Sequence, residues 1–196
     1  MKVTKAQALE NRARIVETAS TLFRERGYDG VGVADLMAAA GFTHGGFYKH
    51  FGSKADLMAE AAASGFSQSA ANTAGVDAAT FVKEYLSRKH RDTLGEGCTL
   101  AALSGDAARQ PKSIKEAFAA GIESRLETLA KEDGALDENA KREARANRIN
   151  TLAQILGALV LSRACPDDSA LADEILEVCR TRLLERTKQK GKRPKR

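Results

Sequence analysis

Residues 32–54, GVADLMAAAGFTHGGFYKHFGSK, leave this chain few ways to fold locally. Val33, Leu36, Met37 and Ala40 recur at i, i+3, i+4 and i+7, which predicts one apolar helical face. Gly41 stands where a helix ends by turning into the left-handed region. Thr43 then opens a second helix, its hydroxyl expected to accept a backbone N–H of the first turn. Phe47 and Phe51, four apart, face inward, and His44, Gly45, Tyr48 and Lys49 are left outside. The expected result is two short helices joined by a tight turn. Their outer edge combines hydrogen-bonding groups, a cation and a residue without a side chain.

Such an edge suits a helix-turn-helix reader, whose second helix meets base edges with its first residues and phosphates around them. The surrounding residues extend the pattern: Leu22-Phe23, Gly27-Tyr28, Asp35-Leu36, Ala40-Gly41, Gly45, Tyr48, His50-Phe51, Lys54 and Leu57. Over about residues 10–60, without gaps, this resembles the DNA-binding domain of the TetR family of one-component transcriptional regulators. Beyond that stretch the chain resembles the family only in size and helical character.

The resemblance and the residue chemistry together assign expected roles. Thr43 touches a phosphate with its hydroxyl and backbone N–H. His44, Gly45 and Gly46 enter the major groove, where His44 can donate to or accept from a base edge. Two adjacent glycines cost a helix about 1 kcal/mol each. They suggest close approach of the backbone to DNA, or else a loosened first turn. Tyr48, Lys49 and Lys54 are expected on phosphates, and His50 serves a phosphate or an internal hydrogen bond. The family usually has a hydroxyl pair before the first reader helix; here Val31-Gly32 stands there, so only a backbone N–H remains for that contact.

Charge is concentrated at one end. The chain carries a net +5, but residues 186–196, RTKQKGKRPKR, hold seven Lys and Arg and no acid, leaving −2 for the rest. Such a block reads as a solvated segment or as a non-specific phosphate-binding arm. No apolar run approaches the ~18 residues of a membrane span. The opening MKVTKAQALENRAR lacks the apolar centre of a signal peptide, so a cytoplasmic protein is expected. Cys98, Cys165 and Cys179 are widely spaced and there are three His residues, which argues against a disulfide framework, a metal site or a cofactor. An enzyme would need a nucleophile, base and orienting group, and a Cys98–His90 pair has no third member. No enzyme is expected; a small helical enzyme stays as a remote alternative.

Every strong period along the chain is helical, so the fold class expected is all-α, with about nine helices. Thr4-x-x-Gln7 is a possible capping box, Ile15, Val16, Ala19, Leu22 and Phe23 form the first buried stripe, and Gly27 stops it. Ser53-x-x-Asp56 opens a further helix, and residues 69–76 read as a loop. Asp77 caps a helix that Gly95 and Gly97 break; others are expected over 99–109, from Ile114 to near Gly134, over 137–164 and over 168–188. This gives a DNA-binding domain at 1–52, a helical effector-binding and dimerisation domain at 53–188, and a basic tail at 189–196, expected to be disordered.

The second half supports two expectations. Ile149, Leu152, Ala153, Leu156, Gly157 and Val160, with Ile175 and Leu183 on the last helix, make stripes too broad for the surface of a lone chain. They suggest a four-helix interface between two copies, or else ordinary core. Phe81, Tyr85, Leu103, Phe118, Ile122 and Leu126 are core or the wall of a cavity, and the resemblance implies that a small-molecule effector binds there. Cys98, in Gly95-Glu96-Gly97-Cys98-Thr99 before a helix, is a small buried side chain or a thiol sensor of electrophiles. The function implied is a ligand-responsive regulator that binds a palindromic duplex DNA operator as a homodimer, most simply a repressor.

Overall fold

Side-chain caps mark where five of the described helices begin. The computed structural model describes residues 4–130 and 137–191, the side chains of 129, 130 and 188–191 excepted. Helix α1 (Lys5–Arg26) starts at Thr4, whose Oγ1 accepts the Gln7 N–H at 3.2 Å. The Gln7 side chain turns to Glu10 and Asn11, so the capping box is only half made. Helix α2 (Val33–Ala39) is followed by a 3-10 helix, His44–Lys49. Helix α3 (Lys54–Asn72) starts beside Ser53, whose Oγ accepts the Asp56 N–H at 3.1 Å. Asp77 caps α4 (Ala78–Tyr85), and Asp137 caps α8 (Glu138–Arg163). Between them lie α5 (Arg88–Asp92), α6 (Thr99–Ala107) and α7 (Lys112–Ala130); α9 (Ala170–Gly191) follows. The described residues hold nine α-helices, one 3-10 helix and no strand, which is the all-α class expected.

Three local expectations are corrected. The reader segment is 3-10 rather than α-helical, with Gly46 N–H on Thr43 O and His50 N–H on Phe47 O, both at 2.9 Å. Residues 69–72 continue α3 instead of forming a loop, because Ser-Ala-Ala-Asn offers no breaker before Gly75, where φ is +77°. The single helix expected after Asp77 breaks at Leu86, and Ser87 caps the separate α5 by accepting the His90 N–H at 3.1 Å. The basic tail at 189–196 and the helix end near Gly134 lie outside the described residues, apart from the backbone of α9 up to Gly191.

The chain divides into two compact units whose limits differ from the segments 1–52 and 53–188. Met1–Ala71 and Leu94–Glu123 form one, and Asn72–Thr93 with Ser124–Arg196 the other. The first is built on α1, with Ile15, Ala19, Phe23, Leu36, Met37, Leu57, Leu103 and Ile114 buried. The second is built on α8 packed along α9, with α4 on α9 and α5 on α8. Arg91 explains why so short a helix as α5 persists. Its guanidinium donates to the carbonyls of Ser162 and Cys165 and to the Ser162 hydroxyl at 3.1–3.2 Å, and to Asp167 at 3.0 Å. A cation thereby meets the carbonyls at the C-terminal end of α8. Arg163 returns the contact, donating to the carbonyls of Arg91 and His90 at 2.9 Å.

Arg91 is 3% exposed, so its loss strands buried acceptors. Arg91→Met should destabilise the second unit by about 2–4 kcal/mol, read as a lower urea midpoint at unchanged slope. His90 supplies a pH dependence. Burial lowers its pKa most, and the Arg163 charge lowers it further, against a hydrogen bond between Nδ1 and the Tyr85 carbonyl at 2.7 Å. The unfolded chain therefore binds the proton first as pH falls. Stability is full above the ordinary histidine pKa of about 6.5 and decreases below it. Thermal melts should show the second unit weaker at pH 5 than at pH 7, with the difference reduced in His90→Gln.

Candidate nucleic-acid interface

The reader edge is held from beneath. Helix α2 ends in a Schellman turn: Phe42 N–H reaches Met37 O at 2.8 Å, Gly41 N–H reaches Ala38 O at 3.0 Å, and Gly41 has φ +83°. That turn redirects the chain so that Phe47 (1% exposed) and Phe51 (3%) enter the core, rings 5.5 Å apart. Arg12 of α1 lies 4.3 Å over the Phe51 ring, donates to the His50 carbonyl and pairs with Glu60 of α3. A cation thus closes the C-terminal end of the short helix. Thr43, His44, Gly45, Tyr48 and Lys49 are all exposed, Tyr48 to 70%.

The expected cap is not made. Thr43 stands at the N-cap position, but its hydroxyl forms no cap hydrogen bond; its carbonyl holds the Gly46 N–H instead. In 3-10 geometry the first turn closes through that carbonyl. The side chain of Thr43 is exposed at the edge.

The two glycines have no role within the chain that requires them. Neither Gly45 nor Gly46 has a positive φ. A Cβ on Gly45 would meet nothing within 4 Å, and one on Gly46 would make ordinary 3.7 Å contacts with Met37 Cε and Thr43 Oγ1. Alanine fits both positions and favours a helix by about 1 kcal/mol over glycine.

Lys54 sits differently from expectation. Lys54 Nζ donates to the Tyr28 carbonyl at 2.6 Å and lies 6.0 Å from the Phe23 ring centre, so it faces the protein rather than the edge. His50 is half-buried, its ring beside Phe42 and Phe51. Arg14 takes a place that sequence reasoning missed. Its guanidinium stacks over Phe42 at 5.4 Å, beside Gly41, and among the described residues it forms no ion pair. Only the tertiary approach of α1 to the turn reveals it; its spacing along α1 gives no sign.

The other expected residues fall in both units. Phe81 and Tyr85 belong to the second, rings 5.3 Å apart, with Arg125 at 4.8 Å over Phe81 and His90 at 4.5 Å from Tyr85. In the first unit Leu103 and Phe118 are buried as core, and Phe118 packs edge-on against Phe66 at 5.2 Å. Gly121 permits this, because a Cβ there would stand 2.3 Å from the Phe66 ring. Ile122 is exposed, and Cys98 is the half-buried N-cap of α6, its thiol making no cap bond. Beside it the buried Arg24 donates to the Gly95 carbonyl at 2.7 Å and to Ser20 Oγ at 2.6 Å. Burial lowers the Arg24 pKa.

Of the expected interface residues, Ile149, Ala153 and Val160 are exposed, and Leu152, Leu156, Gly157 and Ile175 half-buried. Leu183 is different: it is buried in the chain's own core, 3% exposed, and has no surface left for a partner. Leu161, Leu171 and Val178 add exposed apolar surface to α8 and α9. Among the described residues no helix is long and apolar enough to cross a membrane.

Comparison with known proteins agrees with the reader geometry. Residues 15–61 match the family described as bacterial regulatory proteins, tetR family. The transcriptional regulator TtgR of Pseudomonas putida is 44% identical over 55 residues, which is 28% of this chain and 26% of TtgR. The match thus spans about a quarter of that relative's length. A TetR regulator from Chloroflexus aurantiacus has the same fold, with a TM-score of 0.70 and 24% identity over 94% of this chain and 97% of that one. AibR, solved with isovaleryl coenzyme A and operator DNA, superposes with a TM-score of 0.57 and 16% identity, covering 89% of this chain and 98% of that one. Over residues 15–61, the chain is similar to the tetR family of bacterial regulatory proteins.

Proposed function

We propose that this protein is a homodimeric transcriptional regulator that binds an operator in duplex DNA, represses, and is released by a small-molecule effector. The observation that carries the reading is the pair Gly45-Gly46 on an exposed edge, where the protein's own packing has no need of glycine. Close approach of a backbone to base edges or thymine methyls supplies that need. Thr43 and Tyr48 offer hydroxyls, and Lys49 and Arg14 cations, to flanking phosphates; His44 reads a base, and His50 stays with its aromatic neighbours. An enzymatic reading has less support, since TtgR, matched over the reader, is named a regulator of transcription.

The dimer is supported by apolar surface that one chain leaves open on α8 and α9. A Cβ on Gly157 would meet nothing within 4 Å, so the isolated chain gains nothing from a glycine there. A second copy packed close along Ile149, Leu152, Ala153, Leu156 and Val160 would, and two-fold symmetry would pair two readers with two half-sites. For the effector, Phe81 and Tyr85, the expected wall residues of the second unit, retain exposure. AibR is a protein of this fold whose structure holds both a ligand and operator DNA.

Gly45→Val should leave the fold and melting temperature unchanged yet weaken binding to a selected operator at least tenfold; unchanged affinity would contradict groove entry. Tyr48→Phe and Arg14→Gln should weaken binding to every sequence, Arg14→Gln reducing the salt slope by about 0.9. His44→Ala should alter preference at defined positions by about 1–3 kcal/mol. Gly157→Leu should give a folded monomer by sedimentation, with lower DNA affinity because one half-site loses the effective concentration supplied by the other. An intact dimer would place the interface elsewhere.

A further inference from the structure

The peptide groups on either side of Tyr28 are held by two charged side chains. Asp106 of α6 accepts the Tyr28 N–H on Oδ2 at 3.0 Å, while Arg109 occupies Oδ1 at 2.9 Å. Lys54, the first residue of α3, donates to the Tyr28 carbonyl at 2.6 Å. Tyr28 itself is fully buried, its ring edge-on to Phe23 at 5.1 Å. The approach of Asp106 depends on Gly27: its φ is +73°, and a Cβ there would stand 2.7 Å from Oδ2. All these groups lie within the first compact unit.

The position of this clamp in the chain gives it meaning. Residues 29–53 contain α2, the turn and the reader helix, and Tyr28 and Lys54 are the two ends of that excursion. Their hydrogen bond closes the excursion on itself, and Asp106 ties the closed end to α6. Hydrogen bonds to charged groups are the stronger kind, and the Tyr28 residue that makes both is fully buried. The ammonium that family resemblance assigns to a phosphate is therefore engaged behind the reader.

We infer that Asp106 and Lys54 are positioning residues for DNA binding, which set the reader helix through the Tyr28 backbone without touching DNA. The inference rests on the DNA-binding reading above. It has a signature that simple electrostatics reverses: removing an acid from a DNA-binding protein should tighten binding, whereas removing this one should weaken it.

The test uses the full chain and a duplex enriched by the wild-type protein from a random-sequence pool. Asp106→Ala should bind about fivefold or more weakly with an unchanged salt slope, and Asp106→Asn, which keeps an acceptor oxygen, should stay within about twofold of wild type. Lys54→Met should behave like Asp106→Ala, and the double variant should be no worse than the weaker single one. In the free protein, amide exchange across residues 41–52 should quicken in Asp106→Ala and not in Asp106→Asn, with melting curves confirming a folded chain. Tighter or unchanged binding by Asp106→Ala overturns the inference, as does a Lys54→Met salt slope lower by about 0.9, the mark of a phosphate contact. If the pool yields no enriched duplex, the DNA reading fails. Amide exchange then decides the clamp alone, and unchanged exchange in Asp106→Ala overturns it.

Discussion

Everything at the reader edge depends on burying Phe47 and Phe51 against the core beneath the turn. A six-residue segment containing two glycines has no intrinsic reason to hold a helical turn in water. Two buried phenylalanines contribute roughly 1.5–3 kcal/mol each, against about 1 kcal/mol lost at each glycine. Tertiary burial wins, and a short 3-10 helix persists with its outer face available. Arg12 over Phe51 and on the His50 carbonyl closes its far end, and the Schellman turn at Gly41 sets its entry. The edge is thus supported from behind, and its outer residues stay exposed.

The same economy of side chains recurs away from the reader. Arg91 gathers the carbonyl end of α8, Asp106 and Lys54 gather Tyr28, and Arg24 reaches the Gly95 carbonyl between α1 and the entry to α6. In each case a charged side chain answers a backbone group left over where a helix stops or a loop begins. These contacts hold short elements that their own propensities would not. They also place the discrete, breakable links of the structure at the junctions between helices.

Much of this was legible in the residues. Caps at Thr4, Ser53 and Asp77 were readable because a capping side chain acts within three residues of its own position. The inward phenylalanines and the exposed His44, Gly45, Tyr48 and Lys49 followed from helical spacing alone. What spacing could not supply was tertiary. Lys54 carries a charge suited to phosphate, but its direction depends on a carbonyl 26 residues away. Arg14 lies on α1 with no local mark, and only the approach of α1 to Phe42 makes it part of the edge. Leu183 shares the apolar period of interface residues, yet burial in the chain's own core gives it a different part. The Thr43 hydroxyl failed as a cap because the 3-10 turn closes through its carbonyl.

The central claim is that the backbone at Gly45-Gly46 enters a major groove, twice, from two related readers. Dimethyl sulfate probing of guanine N7 on a bound duplex, with guanines placed in turn through each half-site, tests this most directly. The account predicts two symmetric patches of protection about 34 Å apart, on one face of the duplex. Uniform reactivity of all guanines while the protein remains bound would contradict it, and would leave the glycines without a purpose.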